Sequence, residues 1–228
     1  MGLSFKNIFL GVMAILLLGA CSTVDKYFGD DEDMSPDQLM QEGLSDMESG
    51  NYENAFEAFQ DIRDRYPYSK HAITAELKIA DALFKRGDYD EAYEAYDEFE
   101  KLHPKNKDIP YVIYQKGMCN FEQIKTIDRE QVHTLKAKET FERLVRQFPR
   151  SEYANRARKN LRTCIISLAE YELYVGNFYY KKGFYKAALG RFNYLVHNYP
   201  DLGQYHEAME KISIIKEKLK LSVKKLED

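Results

Sequence analysis

Three cysteines and five histidines are the side chains of this sequence with the widest chemical reach. A thiolate can attack a carbonyl or hold a metal, and an imidazole can carry a proton near neutral pH. Their spacing uses neither capacity. His71, His103, His133, His197 and His206 are scattered, with no HExxH pair and no metal-ligand spacing to a cysteine. The chain has no GxSxG, no phosphate-binding loop and no dinucleotide fingerprint. The run Asp30-Asp31-Glu32-Asp33 lacks the glycine turn and the distal glutamate of a calcium loop, so it reads as a solvated spacer. Neither a metal nor a dissociable cofactor is expected, and no enzymatic turnover. A net charge of −4 gives no bulk basic footprint for nucleic acid.

Cys21 stands apart from the other two cysteines. It closes the apolar run from Ile8 to Leu18, which follows Lys6 and ends in Leu18-Gly19-Ala20-Cys21. That run is short for a membrane span and suits a signal-peptide core. The small residues before the cysteine resemble the bacterial lipobox. The resemblance implies cleavage before Cys21, a diacylglycerol on its thiol and an acyl chain such as palmitate on its new amino group. An ordinary secretory signal with a chance cysteine is the alternative. Several acyl chains exceed what one-chain anchoring supplies. Ser22 stands where an aspartate would resemble an inner-membrane retention signal, so the resemblance points to the outer membrane of a diderm bacterium, facing the periplasm. Residues 1–20 are thus expected to be the signal peptide, 21–34 an acidic flexible tether and 35–228 the folded domain. Cys119 and Cys164 lie 45 residues apart in the apolar contexts MCNF and RTCII. Two buried small hydrophobes are one reading, and a disulfide, which the periplasm permits, is the other.

The elements that must position any functional surface are written in a repeated grammar. Pro67, Pro104, Pro149 and Pro200 close the strings RYP, LHP, QFP and NYP. Twelve residues before each stands an alanine (Ala55, Ala92, Ala137, Ala188) and eight before each an aromatic (Phe59, Tyr96, Phe141, Phe192). Five before each stands Ile62, Phe99, Leu144 or Leu195. This matches the tetratricopeptide repeat, a helix–turn–helix of about 34 residues. The expected fold is all-α, a right-handed superhelical solenoid of about five such units. Ser35-Pro36-Asp37-Gln38 offers a capping box at its start. Repeats one, two and four run about 36–69, 73–106 and 169–202, with Gly43, Ala80 and Gly176 at the helix crossings. Glycines 50, 87 and 183 mark the turns between paired helices. Repeat three begins near Pro110, crosses at Gly117, and carries an insertion over roughly Lys125 to His133 that reads as a contact surface. The stretch 151–182 has no proline, so it is either one extended helix or two in tandem. Gln204 to Leu226 reads as a closing helix with Met209, Ile212, Ile215, Leu219 and Val223 on its apolar stripe.

In tetratricopeptide repeats the first helix of each pair lines a groove. Placed on this chain, repeat one supplies Met40, Leu44 and Met47, and repeat two Leu77, Asp81, Phe84 and Lys85. Repeat three supplies Tyr111, Tyr114, Met118 and Phe121. Repeat four supplies the more polar Leu173, Asn177, Tyr180 and Lys181. Such a surface suits an extended apolar or aromatic peptide. About half of these residues are expected to pack between repeats instead, Leu44 and Leu77 foremost.

Cys21 with its leader and tether, GNYENAF at 50–56, RYPYS at 65–69, IPYVIYQKG at 109–117, FPRSEYA at 148–154 and LAEYELYVGNFYYKKGFYKAALGRF at 168–192 together resemble the BamD family, lipoproteins of the outer-membrane β-barrel assembly machine. The resemblance implies a membrane-anchored scaffold that performs no covalent chemistry. It implies N-terminal repeats that receive unfolded outer-membrane proteins, and C-terminal repeats that dock on the barrel-forming subunit beside other lipoprotein subunits. Arg191 aligns with a cationic interface position, and Tyr180 and Lys181 are placed with it. A pilotin-like lipoprotein escorting secretin subunits, or a regulator of a cell-wall enzyme, would share the anchor and the repeats.

Overall fold

The structure is a computed structural model that describes residues 34–200 and 202–227, with side chains described through Lys220. The leader, Cys21 and the acidic run lie outside the described residues. Within them the chain forms nine helices: α1 (Pro36–Ser49), α2 (Tyr52–Arg65), α3 (Ala72–Arg86), α4 (Tyr89–Leu102), α5 (Ile109–Phe121), α6 (Val132–Gln147), α7 (Glu152–Lys181), α8 (Tyr185–Asn198) and α9 (Gln204–Glu227). Each packs chiefly on its sequence neighbours, as in a solenoid.

The repeated grammar has a physical meaning at each letter. The residues before the four prolines, Tyr66, His103, Phe148 and Tyr199, all adopt the same backbone, with φ near −130° and ψ near 55°, for example −130° and 57° at Phe148. Proline's ring bars its predecessor from the helical region, so each second helix stops there. Between paired helices Gly50, Gly87 and Gly183 take φ of 81°, 93° and 81°, a left-handed conformation that other residues adopt at a cost. The alanines, aromatics and large apolar residues at the three repeat positions are all buried. The reason for a glycine at the crossing is the ring above it: a Cβ added at Gly43 would stand 2.6 Å from Phe59, and one at Gly176 2.5 Å from Phe192. The start is capped as expected, with Ser35 Oγ accepting from the Gln38 N–H and Gln38 Oε1 accepting from the Ser35 N–H.

The stretch after Ser151 is one 30-residue helix, not two. Its first half completes the core of α1–α6 through Ala157 and Cys164. Its second half begins another core with α8 and α9, through Leu168 and Ala169. The insertion of repeat three occupies residues 122–131 and is tied down from inside: the buried Gln131 side chain donates to the Thr126 and Arg129 carbonyls and accepts from Thr134. One expectation is corrected, and one pair of alternatives is decided. Met209 is exposed, and Ala208 takes its place on the buried stripe of α9 with Ile212 and Ile215, while the Val223 side chain lies outside those described. Cys119 and Cys164 are free thiols, each buried, and burial pushes both up to about 12, so each is the neutral small hydrophobe of the first reading.

Candidate peptide-binding groove

The residues assigned to the groove separate into three groups. Met40, Leu77 and Asp81 are buried and line nothing. Leu77 follows expectation, but Leu44 does not: it is 40% exposed, because its neighbour Gly43 is the one that turns toward Phe59. Met47, Phe84, Tyr111, Tyr114, Met118 and Phe121 are half-buried, each packed on the core by one side of its side chain. Lys85 is exposed beside Phe84, at the end of α3.

Asp81 is the largest departure. It is the hub of a buried network in which Tyr96 and Tyr111 each donate a hydroxyl to its Oδ1, at 2.7 and 2.6 Å, and Lys78 donates to Oδ2 at 2.8 Å. Gln115 donates to the Tyr111 hydroxyl at 3.2 Å. Burial, with the Asp81 charge beside them, drives both phenols far above their usual range. Both therefore stay protonated donors. The hub orients the Tyr111 ring, which meets Tyr153 of α7 edge-on at 5.3 Å. Tyr114 also meets Tyr153, at 5.9 Å, and its hydroxyl accepts from Asn160 at 3.3 Å. Tyr153 and Asn160 thus form a wall outside the residues assigned to the groove, since the stretch 151–182 was expected only to be one extended helix or two in tandem. The string FPRSEYA held the signal, since its tyrosine falls in the first turn of a new helix.

A second missed feature lies around Tyr93. Clefts of about 880 and 790 Å3 open on either side of it. Lys116 of α5 is buried there, over the Tyr93 ring, and pairs with Asp97 and with Glu100 of α4. Arg143 of α6 grips the same Glu100 through two nitrogens, at 2.5 and 3.0 Å. Burial works to raise the Glu100 carboxyl, but the bonds from Arg143 and Lys116 outweigh it and hold the group below its ordinary value. Asp97 behaves likewise, through Lys101 and Lys116. These four ionic groups clamp three helices together. The signal was a lysine in IPYVIYQKG at helical spacing from Val112, Ile113 and Cys119, hence on the face that must be buried.

At the other end, Tyr180 is half-covered by Lys211 and Lys218 of α9, 5.4 and 5.3 Å from its ring, and Lys181 is exposed. Arg191 reaches both oxygens of the buried Glu172 at 3.2 Å and remains partly open to solvent. Among the described residues no cluster of histidine, cysteine and carboxylate stands where it could hold a metal. No described helix is long and apolar enough to cross a membrane. What the arrangement supplies is apolar contact with fixed polar donors, the chemistry of peptide recognition.

A family model and relatives similar in sequence agree on one family. The model of the family described as YfiO, outer membrane lipoprotein, matches residues 32–227. Outer membrane protein assembly factor BamD of Neisseria meningitidis serogroup B (strain ATCC BAA-335 / MC58) is 30% identical over 227 residues, covering 94% of this chain and 85% of the relative. The protein of the same name from Vibrio cholerae serotype O1 is 26% identical, covering 88% and 86%. A thermophilic TPR protein of Thermus thermophilus, known from its crystal structure, covers 78% of this chain and 99% of its own, with 15% identity and a TM-score of 0.43.

Proposed function

The chain belongs to the YfiO family of outer membrane lipoproteins, and from that premise we propose that it is a membrane-anchored scaffold in the assembly of outer-membrane β-barrel proteins. Relatives that share most of its length are named as assembly factors for outer membrane proteins. Cys21 carries the lipid in this reading, residues 21–34 span from membrane to body, and the body faces the periplasm. No step of the role is catalytic.

The observation that carries the substrate half of the proposal is the row of half-buried Phe84, Tyr114, Met118 and Phe121 along α3 and α5. Each has one side fixed by the core and one side open. An extended segment with an aromatic end would lay its ring against this row, with methionine adapting to its shape. Tyr111 is held rigid by Asp81 and walls the site together with Tyr153. Ordering cost is low because the rings are already placed.

The partner half rests on the C-terminal repeats. Arg191, Tyr180 and Lys181 would meet the barrel-forming subunit, with other lipoprotein subunits alongside. Arg191 is suited to this because Glu172 fixes its guanidinium while leaving nitrogens free for a carboxylate of the partner.

The groove is tested by fluorescence anisotropy with a labelled peptide copied from the aromatic C-terminal end of an outer-membrane barrel protein. Phe84→Ala with Tyr114→Ala is expected to weaken binding roughly tenfold or more, as for two central anchors, with an unchanged helical circular dichroism spectrum. Equal affinity in the folded double variant would remove the groove from the proposal.

A further inference from the structure

The first helix of each pair can be laid out from its crossing residue: Gly43, Ala80, Gly117 or Gly176. Positions five and two before it, and two after it, lie on the face turned away from the second helix of the same pair, at about 100° per residue. In α3 these positions are Ala75, Lys78 and Ala82, and in α5 they are Val112, Gln115 and Cys119. The apolar members are fully buried, because the second helix of the preceding pair packs on that side: α2 on α3 and α4 on α5.

Two helices leave this face open. In α1 it carries Gln38, Gln41 and Ser45, all exposed. That is how the end of a solenoid meets water. In α7 the same positions hold Tyr171, Tyr174 and Phe178, with Tyr174 45% and Phe178 49% exposed. The cause is length. The 16 residues of α6 run along the first half of α7 only, and α7 continues for about 20 Å beyond, at 1.5 Å per residue. The slot that a preceding helix fills in repeats two and three is vacant in repeat four. Vacancy alone would select polar residues there, as α1 shows.

We propose that the Tyr171–Tyr174–Phe178 strip is the docking face for one amphipathic helix of another protein, seated in line with α6 and acidic on its flanks. The repeats themselves show that a helix is what covers this face. The charge follows from the surroundings: Lys181 and Lys182 are exposed at the end of the strip, and residues 151–228 carry 14 Lys+Arg against 9 Asp+Glu. Residues 21–34 are acidic too but have no helical apolar stripe, and the acidic helices of the N-terminal block are already paired. The inference deepens the proposed docking of the C-terminal repeats and rests on it.

The test places a photo-crosslinking benzoylphenylalanine at position 174 or 178 of the full lipidated chain in membranes, with positions 41 and 45 as controls and position 181 as a second docking probe. Positions 174 and 178 are expected to capture one and the same peptide of another protein, about tenfold above the α1 controls. That peptide should show apolar residues at three- and four-residue spacing and a net negative charge. Tyr174→Gln with Phe178→Ser writes the residues of α1 into α7 and should abolish retention of that protein while leaving the melting curve in place. Capture of lipid, of a second copy or of residues 21–34, or yields no higher than at the controls, would overturn the proposal. Capture from position 181 alone would sink the strip and leave the docking role standing, whereas capture from none of the three would remove both.

Discussion

In the block from α1 to the first half of α7, charge is buried and shared. Asp81 gathers two tyrosines and a lysine, and Lys116 gathers two carboxylates, one of them also held by Arg143. In the block from the second half of α7 to α9, the buried carboxylate of Glu172 meets a half-exposed arginine, and rings stand open at Tyr174, Phe178, Phe184 and Tyr194. The blocks also differ in sign. Residues 35–150 hold 17 Lys+Arg against 23 Asp+Glu, the reverse of the excess after residue 150. Both are written in the same repeat grammar, so the fold does not require the difference. A block whose polar groups are satisfied internally presents a preformed surface to changing ligands. Under the proposed function, a block with open aromatic rings and open cations is the one that meets a fixed partner.

The sharpest way to break this contrast is Lys116→Ala. It removes the one cation that Asp97 and Glu100 share, leaving Asp97 with Lys101 and Glu100 with Arg143 in a half-buried cleft. Each carboxylate keeps a cation and about a fifth of its exposure, so the expected loss is that of hydrogen bonds to a charged group, about 1.5–3 kcal/mol at pH 7. Urea unfolding at two pH values checks it. Asp97 and Glu100 sit below their ordinary 3.8 and 4.5 in the folded chain. Their pairing therefore stabilises fully above those values and is lost as pH falls through the lowered ones. The penalty of the variant should be complete at pH 7 and fade below about pH 4. A pH-independent penalty would mean that Lys116 acts by packing alone.

A smaller effect separates the blocks. Gly176→Ala forces the Phe192 ring to move, since the new Cβ would stand 2.5 Å from it. Overpacking of this kind costs about 1–3 kcal/mol, partly offset by about 1 kcal/mol of helix propensity. Hydrogen exchange should show protection lost in α8 and α9 while α1 to α4 keep theirs. Uniform loss would show that α7 couples the two cores into one cooperative unit.

Much of this was legible in the sequence because burial follows the repeat grammar. Alanine, aromatic and large apolar residue fall at fixed distances from each proline, and all twelve are buried. The capping box, the turns and the closing helix followed from local chemistry. Misplacements arose where one repeat compensates for another. Repeat two has Ala80 and Tyr96 where the others have glycine and phenylalanine. The extra hydroxyl needs an acceptor inside, and the adjacent Asp81 supplies it, so a carboxylate read as groove lining is core. The division of α7 between two cores was not legible, because nothing in its own 30 residues says where α6 ends beside it. The open aromatic strip follows from that same mismatch of lengths.

The central claim is that the two blocks serve different ligands independently. The full chain is captured by affinity from detergent-solubilised membranes, with bound proteins measured together with the anisotropy of the aromatic-ended peptide. Wild type should retain the barrel-forming subunit and bind the peptide. Phe84→Ala with Tyr114→Ala should lose the peptide and keep the subunit, and Tyr174→Gln with Phe178→Ser should do the opposite. Loss of both ligands in either variant, or recovery of a secretin without the barrel-forming subunit, would contradict the account.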